Sequence, residues 1–254
     1  MKVCRFEKDG RASYGLIEGD IVVPLSGAPW LGPLERGSAR VALSSVKLLA
    51  PVEPSKVVAV GLNYRKHAEE MKKPLPEEPL LFIKPSTAVN GPMGPVVLPP
   101  QSKEVHHEAE LGLVIGTRLH RASEAQAAEG IFGLTCVNDV TARDIQRREI
   151  QHTRSKSFDT FACIGPWVVT GLSPADLAVR CRVNGQVRQD GRTSDLIFPP
   201  ARLVAFISDV MTLLPGDVIS TGTPSGVGVL KAGDVVEVDI EGVGVLQNPV
   251  VNLA

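Results

Sequence analysis

His106, Glu108 and Glu110 sit two residues apart in the stretch Val105 to Ile115. β-Branched and apolar residues alternate there, which predicts a strand. Side chains two apart in a strand share a face, so these three point one way. Val105, Ala109, Leu111, Leu113 and Ile115 point the other way, into a core. The acidic face continues into Gly112 and Val114 rather than further polar residues, so it is expected to turn inward. Two carboxylates entering a protein together repel, and stay protonated unless a cation lies between them. Hard oxygen ligands suit Mg²⁺, Mn²⁺ or Ca²⁺, so the chemistry expected of this stretch is divalent-cation binding. A solvated acidic strand face is the ordinary alternative.

A second pair is His67 and Glu70, three apart in Asn63 to Met71. That segment reads as a helix with Asn63 as its N-cap, which puts the pair on one face. A charged surface helix would carry such a pair without any task. The apolar run Gly133 to Asp139 reads as a strand ending in a carboxylate, a rigid support for a functional group. Thr141-Ala142-Arg143-Asp144 fits a capping box. The helix it starts carries Arg143 and Gln146 near its N-terminus, where an anion is favoured. Arg143 could equally pair with a nearby acid. Lys156 lies in a polar loop, and pattern alone assigns it no role. Ser220 to Gly228 is glycine-rich but lacks the lysine of a phosphate loop, which excludes nucleotide binding. Its amides and hydroxyls could hold a small carboxylate or merely turn the chain. His106 and His107 are adjacent and face opposite ways, which argues against a two-histidine iron oxygenase.

The elements that must position these residues are mostly strands. Residues 2 to 25 read as a β-meander with turns at Lys8-Asp9-Gly10 and Glu18-Gly19-Asp20. Gly27 to Gly37 reads as loop, and Ala50 to Ser55 as a linker interrupted by two prolines. A boundary near residue 51 divides a small β domain, 1–50, from a body, 51–254. Val57 to Gly61 reads as a buried strand. Lys72 to Pro79 is a surface loop or a lid, and Ser123 to Glu129 a helix. Cys181 to Val187 is a hairpin with an Asn-Gly turn. Pro200 to Leu214 is an amphipathic helix burying Leu203, Val204, Phe206, Ile207, Val210, Met211 and Leu214. The formal net charge is −1 and basic residues are scattered, which excludes a nucleic-acid surface. No apolar run is long enough to span a bilayer, and no signal-peptide stretch follows Met1, so a cytoplasmic location is expected. The four cysteines lack CxxC spacing and are expected as buried thiols, not a disulfide or zinc framework.

Taken in order, several stretches resemble the fumarylacetoacetate hydrolase family. They are Gly61-Leu62-Asn63-Tyr64 with His67, Phe82-Ile83-Lys84-Pro85-Ser86, His106 to Gly112, Asn138 to Asp144, Lys156-Ser157-Phe158-Asp159, Pro215-Gly216-Asp217 and Thr221 to Gly228. The resemblance implies an α+β, β-rich fold: a mixed β-roll or sandwich catalytic domain with a small N-terminal β domain, assembled as a homodimer. It implies one Mg²⁺ or Mn²⁺ per site, held by Glu108, Glu110 and Asp139. Catalytic roles then fall on His67, Glu70 and Lys156, and substrate contacts on Arg143, Gln146 and Thr223. The implied substrate is a small 2-oxo acid of the acylpyruvate or oxaloacetate type, whose enolate the site stabilises. C–C cleavage by hydrolysis or decarboxylation is the first choice. Isomerisation of 2-hydroxyhepta-2,4-diene-1,7-dioate, or an oxaloacetate-type tautomerisation, is the near alternative. A non-catalytic, metal-stabilised binding module is the reading from another class, and His67, Glu70 and Lys156 argue against it.

Overall fold

A computed structural model describes residues 1–253. Its spine is the strand Ala109–Ile115, buried along its whole length. This strand pairs antiparallel with Ile131–Asp139 on one side and Val218–Ser220 on the other. Beyond Ile131–Asp139 the sheet continues through Ala162–Val169 to Lys2–Lys8 and the N-terminal hairpins. Beyond Val218–Ser220 it continues through Lys56–Gly61 to Leu80–Pro85. The N-terminal meander therefore extends the main sheet across the proline linker. A five-stranded sheet, built around Ala178–Val183 and Val235–Ile240, lies against it. One apolar core joins the two sheets, with Leu111, Leu113 and Ile115 meeting Val179, Val238 and Ile240. The β-rich α+β class expected from the sequence is the class found, and among the described residues no helix is long and apolar enough to cross a membrane.

The acidic stretch divides at its centre. Val105–His107 belongs to a small three-stranded sheet with Thr141–Ala142 and Gly228–Val229, and Ala109–Ile115 to the main sheet. Glu108 lies at the break; its N–H goes to the Asn138 Oδ1 at 3.0 Å, and its carbonyl accepts from Asp139 N at 2.9 Å. The expected core residues Val105, Ala109, Leu111, Leu113 and Ile115 do enter the core.

Three local expectations are corrected. Asn63 is not an N-cap. Its Nδ2 donates to Thr221 O at 2.7 Å and Phe198 O at 3.1 Å, its Oδ1 accepts from Phe198 N, and the helix Arg65–Glu70 begins after Tyr64. Nor does Thr141 cap a helix: its hydroxyl donates to Asp139 O, and Arg143–Arg148 starts without a side-chain cap. Both side chains are short polar groups drawn instead to backbone atoms that no strand or helix satisfies, at a strand end for Thr141 and in loops for Asn63. The amphipathic helix stops at Val210 and buries only Leu203, Val204 and Ile207 of the expected set, while Val210 and Leu214 are exposed. Leu213 leaves the helix to pair with Leu119, so the chain is already extended there.

The linker is fastened by Asp217. This fully buried carboxylate accepts from Ser55 N at 3.1 Å, Ser55 Oγ at 2.6 Å, Lys56 N at 3.3 Å, Leu214 N at 2.9 Å and Lys56 Nζ at 2.5 Å. Asp217→Ala strands several of these donors and is expected to lower stability by about 3 kcal/mol. Equilibrium urea unfolding checks this, and a loss under about 1 kcal/mol would mean that the anchor contributes little.

Candidate active site

Glu108 and Glu110 come from the acidic stretch, and Asp139 from the end of the neighbouring strand. The register sets Ala109 opposite Asn138, which brings Asp139 beside Glu108. One carboxylate oxygen from each residue lies within 4.8 Å of the others, and none of the three is more than 4% exposed. The chain supplies countercharge of its own. Lys156 Nζ bridges Glu108 Oε2 at 2.8 Å and Asp139 Oδ2 at 2.5 Å. Arg143 pairs with Glu108 Oε1, and Lys84 with Asp139 Oδ1. Glu110 has no cation bonded to it among the described residues; its Oε2 accepts from Ser220 Oγ at 2.6 Å and Gly222 N at 2.8 Å.

The electrostatics follow from that unequal sharing. Burial lifts Glu108, but Lys156 and Arg143 outweigh it and hold the carboxyl well below the usual range. For Glu110, burial and then the charges of Asp139 and Glu108 push the carboxyl up to about 8. Burial draws Lys156 down, yet Asp139 and Glu108 prevail and raise it above an ordinary lysine. Lys84 goes the other way: burial outweighs Asp139 and lowers it.

A cleft of about 560 Å³ opens over the carboxylates. His67, Arg143, Gln146, Lys156 and Thr223 line it together with the three acids. Glu70 stands outside the lining and behind His67, its Oε2 at 2.9 Å from His67 Nδ1 and its Oε1 accepting from Gly226 N at 3.0 Å. A carboxylate can only accept, so His67 Nδ1 carries a hydrogen, and in the neutral ring the lone pair is then on Nε2. Arg143 adopts the plainer of its two expected arrangements, pairing with Glu108 and donating to Gln146 Oε1, while its Nε is buried without a partner. The donor set fits an oxygen-preferring divalent ion: three buried carboxylates converge, and one of them has its charge held back for want of a cation.

Several residues at the site escaped the sequence reading. Lys84 is a fully buried lysine in an apolar strand, and that isolation of charge was its available signal. Lys156 Nζ lies 4.8 Å above the Phe82 ring, and His152 meets the same ring edge-on at 5.4 Å. His152 precedes and Lys156 ends a single helical turn, Thr153–Lys156, where the sequence suggested loop. Gln189 approaches from the second sheet and had no signal at all.

The model of a family described as "Fumarylacetoacetate (FAA) hydrolase C-terminal" matches residues 56–251. A second, described as "Rv2993c-like, N-terminal", matches residues 1–51. Human oxaloacetate tautomerase FAHD2A, a mitochondrial protein, is 46% identical over 221 residues, covering 82% of this chain and 70% of its own. The crystal structure of 5-carboxymethyl-2-hydroxymuconate delta-isomerase from Mycobacterium smegmatis is similar with a TM-score of 0.94 and 46% identity, covering all of both chains. Maleylpyruvate hydrolase from Sphingobium sp. SYK-6, solved in complex with manganese(II) and pyruvate, is similar with a TM-score of 0.83 and 31% identity, again over the full length of both.

A cation held by these carboxylates would be bound pH-dependently through Glu110. This residue ionises near 8 in the fold against 4.5 as an ordinary glutamate, so the folded chain holds an extra proton between those values. Its contribution therefore lowers the stability of the metal-free protein as pH rises from 4.5 to about 8, with no further loss above. A bound cation must displace that proton, so Mn²⁺ affinity should rise about tenfold per pH unit through neutrality and level off above about 8. Calorimetric Mn²⁺ titrations on either side of that value test this; an affinity that does not vary below it would be inconsistent with a protonated Glu110.

Proposed function

Because the chain belongs to the fumarylacetoacetate hydrolase family, which has isomerase and hydrolase members, we propose that it is a divalent-metal-dependent enzyme of small 2-oxo dicarboxylic acids. The reaction proposed is proton movement beside the keto group, as keto–enol interconversion or a double-bond shift. One observation carries the reading. Three convergent carboxylates form the floor of a cleft whose wall holds an imidazole backed by a carboxylate.

Glu108, Glu110 and Asp139 would hold Mg²⁺ or Mn²⁺, which supplies Lewis-acid polarisation of a 2-oxo acid's keto oxygen. His67 would take the proton from the adjacent carbon on Nε2, because Glu70 keeps its other nitrogen protonated. Lys156, held cationic by Glu108 and Asp139, would steady the negative charge that develops on the substrate oxygen. Arg143 and Gln146 would receive a carboxylate, for which a guanidinium offers a planar fork. Charge favours a substrate with two carboxylates. Lys84, Arg143 and Lys156 already match the three acids, so a divalent ion leaves two positive charges for a dianion to balance.

The sequence reading put C–C cleavage first. The isomerase and tautomerase relatives, at 46% identity each, favour proton transfer instead. Hydrolytic cleavage stays as the second reading on the likeness to maleylpyruvate hydrolase at 31% identity; His67 Nε2 would then activate water.

The test follows oxaloacetate by proton NMR with Mg²⁺ present, against the same mixture without protein. The wild-type protein should speed enol–keto interconversion while pyruvate appears no faster than in the protein-free mixture. His67→Ala should lose about 10²–10⁴-fold of that rate, the usual effect of removing a general base, while Mn²⁺ affinity is unchanged. Full activity in His67→Ala would remove the dyad from the mechanism, and pyruvate release above the protein-free rate would move the reading to cleavage.

A further inference from the structure

Gln189 lies in the strand Gln186–Arg192 of the second sheet, 1% exposed, and all four hydrogen-bonding positions of its amide are occupied. Its Oε1 accepts from Ala109 N and His107 Nδ1, each at 3.0 Å. Its Nε2 donates to Thr223 Oγ1 and Pro224 O, each at 2.7 Å. The backbone sets this orientation unambiguously: an Ala109 N–H can only donate, and a Pro224 carbonyl can only accept. The Thr223 hydroxyl follows. Its oxygen receives a hydrogen from Gln189 and lies 2.9 Å from Ala109 O, which can only accept, so the hydroxyl hydrogen points at Ala109. One lone pair is what remains of the hydroxyl for a ligand in the cleft that Thr223 lines. The sequence reading offered this loop's hydroxyls to a carboxylate, but a carboxylate would meet Thr223 lone pair against lone pair.

We infer that Gln189 is a positioning residue: while Ala109 O takes the Thr223 hydrogen, Gln189 fills one lone pair of the hydroxyl and fixes its orientation, holding the single remaining lone pair toward the cleft and selecting ligands that carry a hydroxyl hydrogen. In a 2-oxo acid that hydroxyl is the enol, so the inference favours 2-hydroxy-enoic forms over keto forms; this choice of ligand rests on the function proposed above. It also gives the cleft a direction. A substrate carboxylate goes to the Arg143 and Gln146 side, and the enol hydroxyl directs its hydrogen to Thr223.

Tartronate and malonate differ by one hydroxyl and test this by calorimetry on the Mn²⁺-loaded protein. The wild-type chain should bind tartronate more tightly. Gln189→Met and Thr223→Val should each reduce the tartronate-to-malonate affinity ratio by about tenfold, and the double variant should lose no more than either single one. Thr223→Ser, which keeps the hydroxyl, should retain the ratio. A wild-type protein binding tartronate no better than malonate overturns the inference. So does a Gln189→Met variant whose melting temperature falls while the ratio stays, or two losses that multiply in the double variant. The ratio is a binding quantity, so failure to turn over oxaloacetate would remove the proposed reaction without moving this result.

Discussion

Like charge at close quarters, nearly buried, is what the rest of this structure has to accommodate. Glu108, Glu110 and Asp139 place carboxylate oxygens within 4.8 Å of one another at the floor of the cleft, where little water reaches to screen them. Three separate elements answer with cations: Lys84 from the strand at the end of the sheet, Arg143 from a short helix, and Lys156 from a single turn. Each is buried, so each needs the acids as much as the acids need it. Glu110 is the member left over. Its direct partners are dipoles, the Ser220 hydroxyl and the Gly222 amide, and Lys156 acts on it only from a distance.

That amide explains a glycine. Gly222 has φ +101°, and a Cβ there would come within 2.7 Å of the Asn63 side chain. Asn63 is itself held by Thr221 and Phe198, just before the helix that carries His67. The loop that supports Glu110 and the helix that presents the imidazole are thus braced against each other, so the base and the carboxylate floor share one scaffold. Gln189 adds the second sheet to it, gripping His107 and Ala109 on either side of Glu108.

The sequence made local periodicity legible and little else. Which face of Ala109–Ile115 enters the core could be read because a strand's period of two leaves no alternative once one face is apolar. The break at Glu108 could not, because its cause is the Asn138 side chain, thirty residues away. Asn63 and Thr141 looked like caps because the chemistry that caps a helix also satisfies any stray backbone group, and only the fold decides which is nearer. Arg143 kept two readings open, and its chosen partner, Glu108, is again remote in sequence. Family resemblance brought the nine site residues together on motif order. It gave no hint that Gln189 would reach Thr223 from the second sheet.

The pairing of Lys2–Lys8 with Ala162–Val169 has a consequence in time. Val3 finds its partner Val168 only after the intervening chain has been made. At ribosomal rates of about 5–20 residues per second that is a wait of roughly 8–30 s. Meanwhile the N-terminal meander can close its own hairpins and take Lys47–Leu49 against Arg5 to Glu7, but its edge at Lys2 and Val3 stays unpaired and open to solvent or a chaperone. The main sheet is thus sewn shut from the outside late in synthesis, after Glu108, Glu110 and Asp139 have left the ribosome, so the nascent chain carries its acids before the sheet around them is complete.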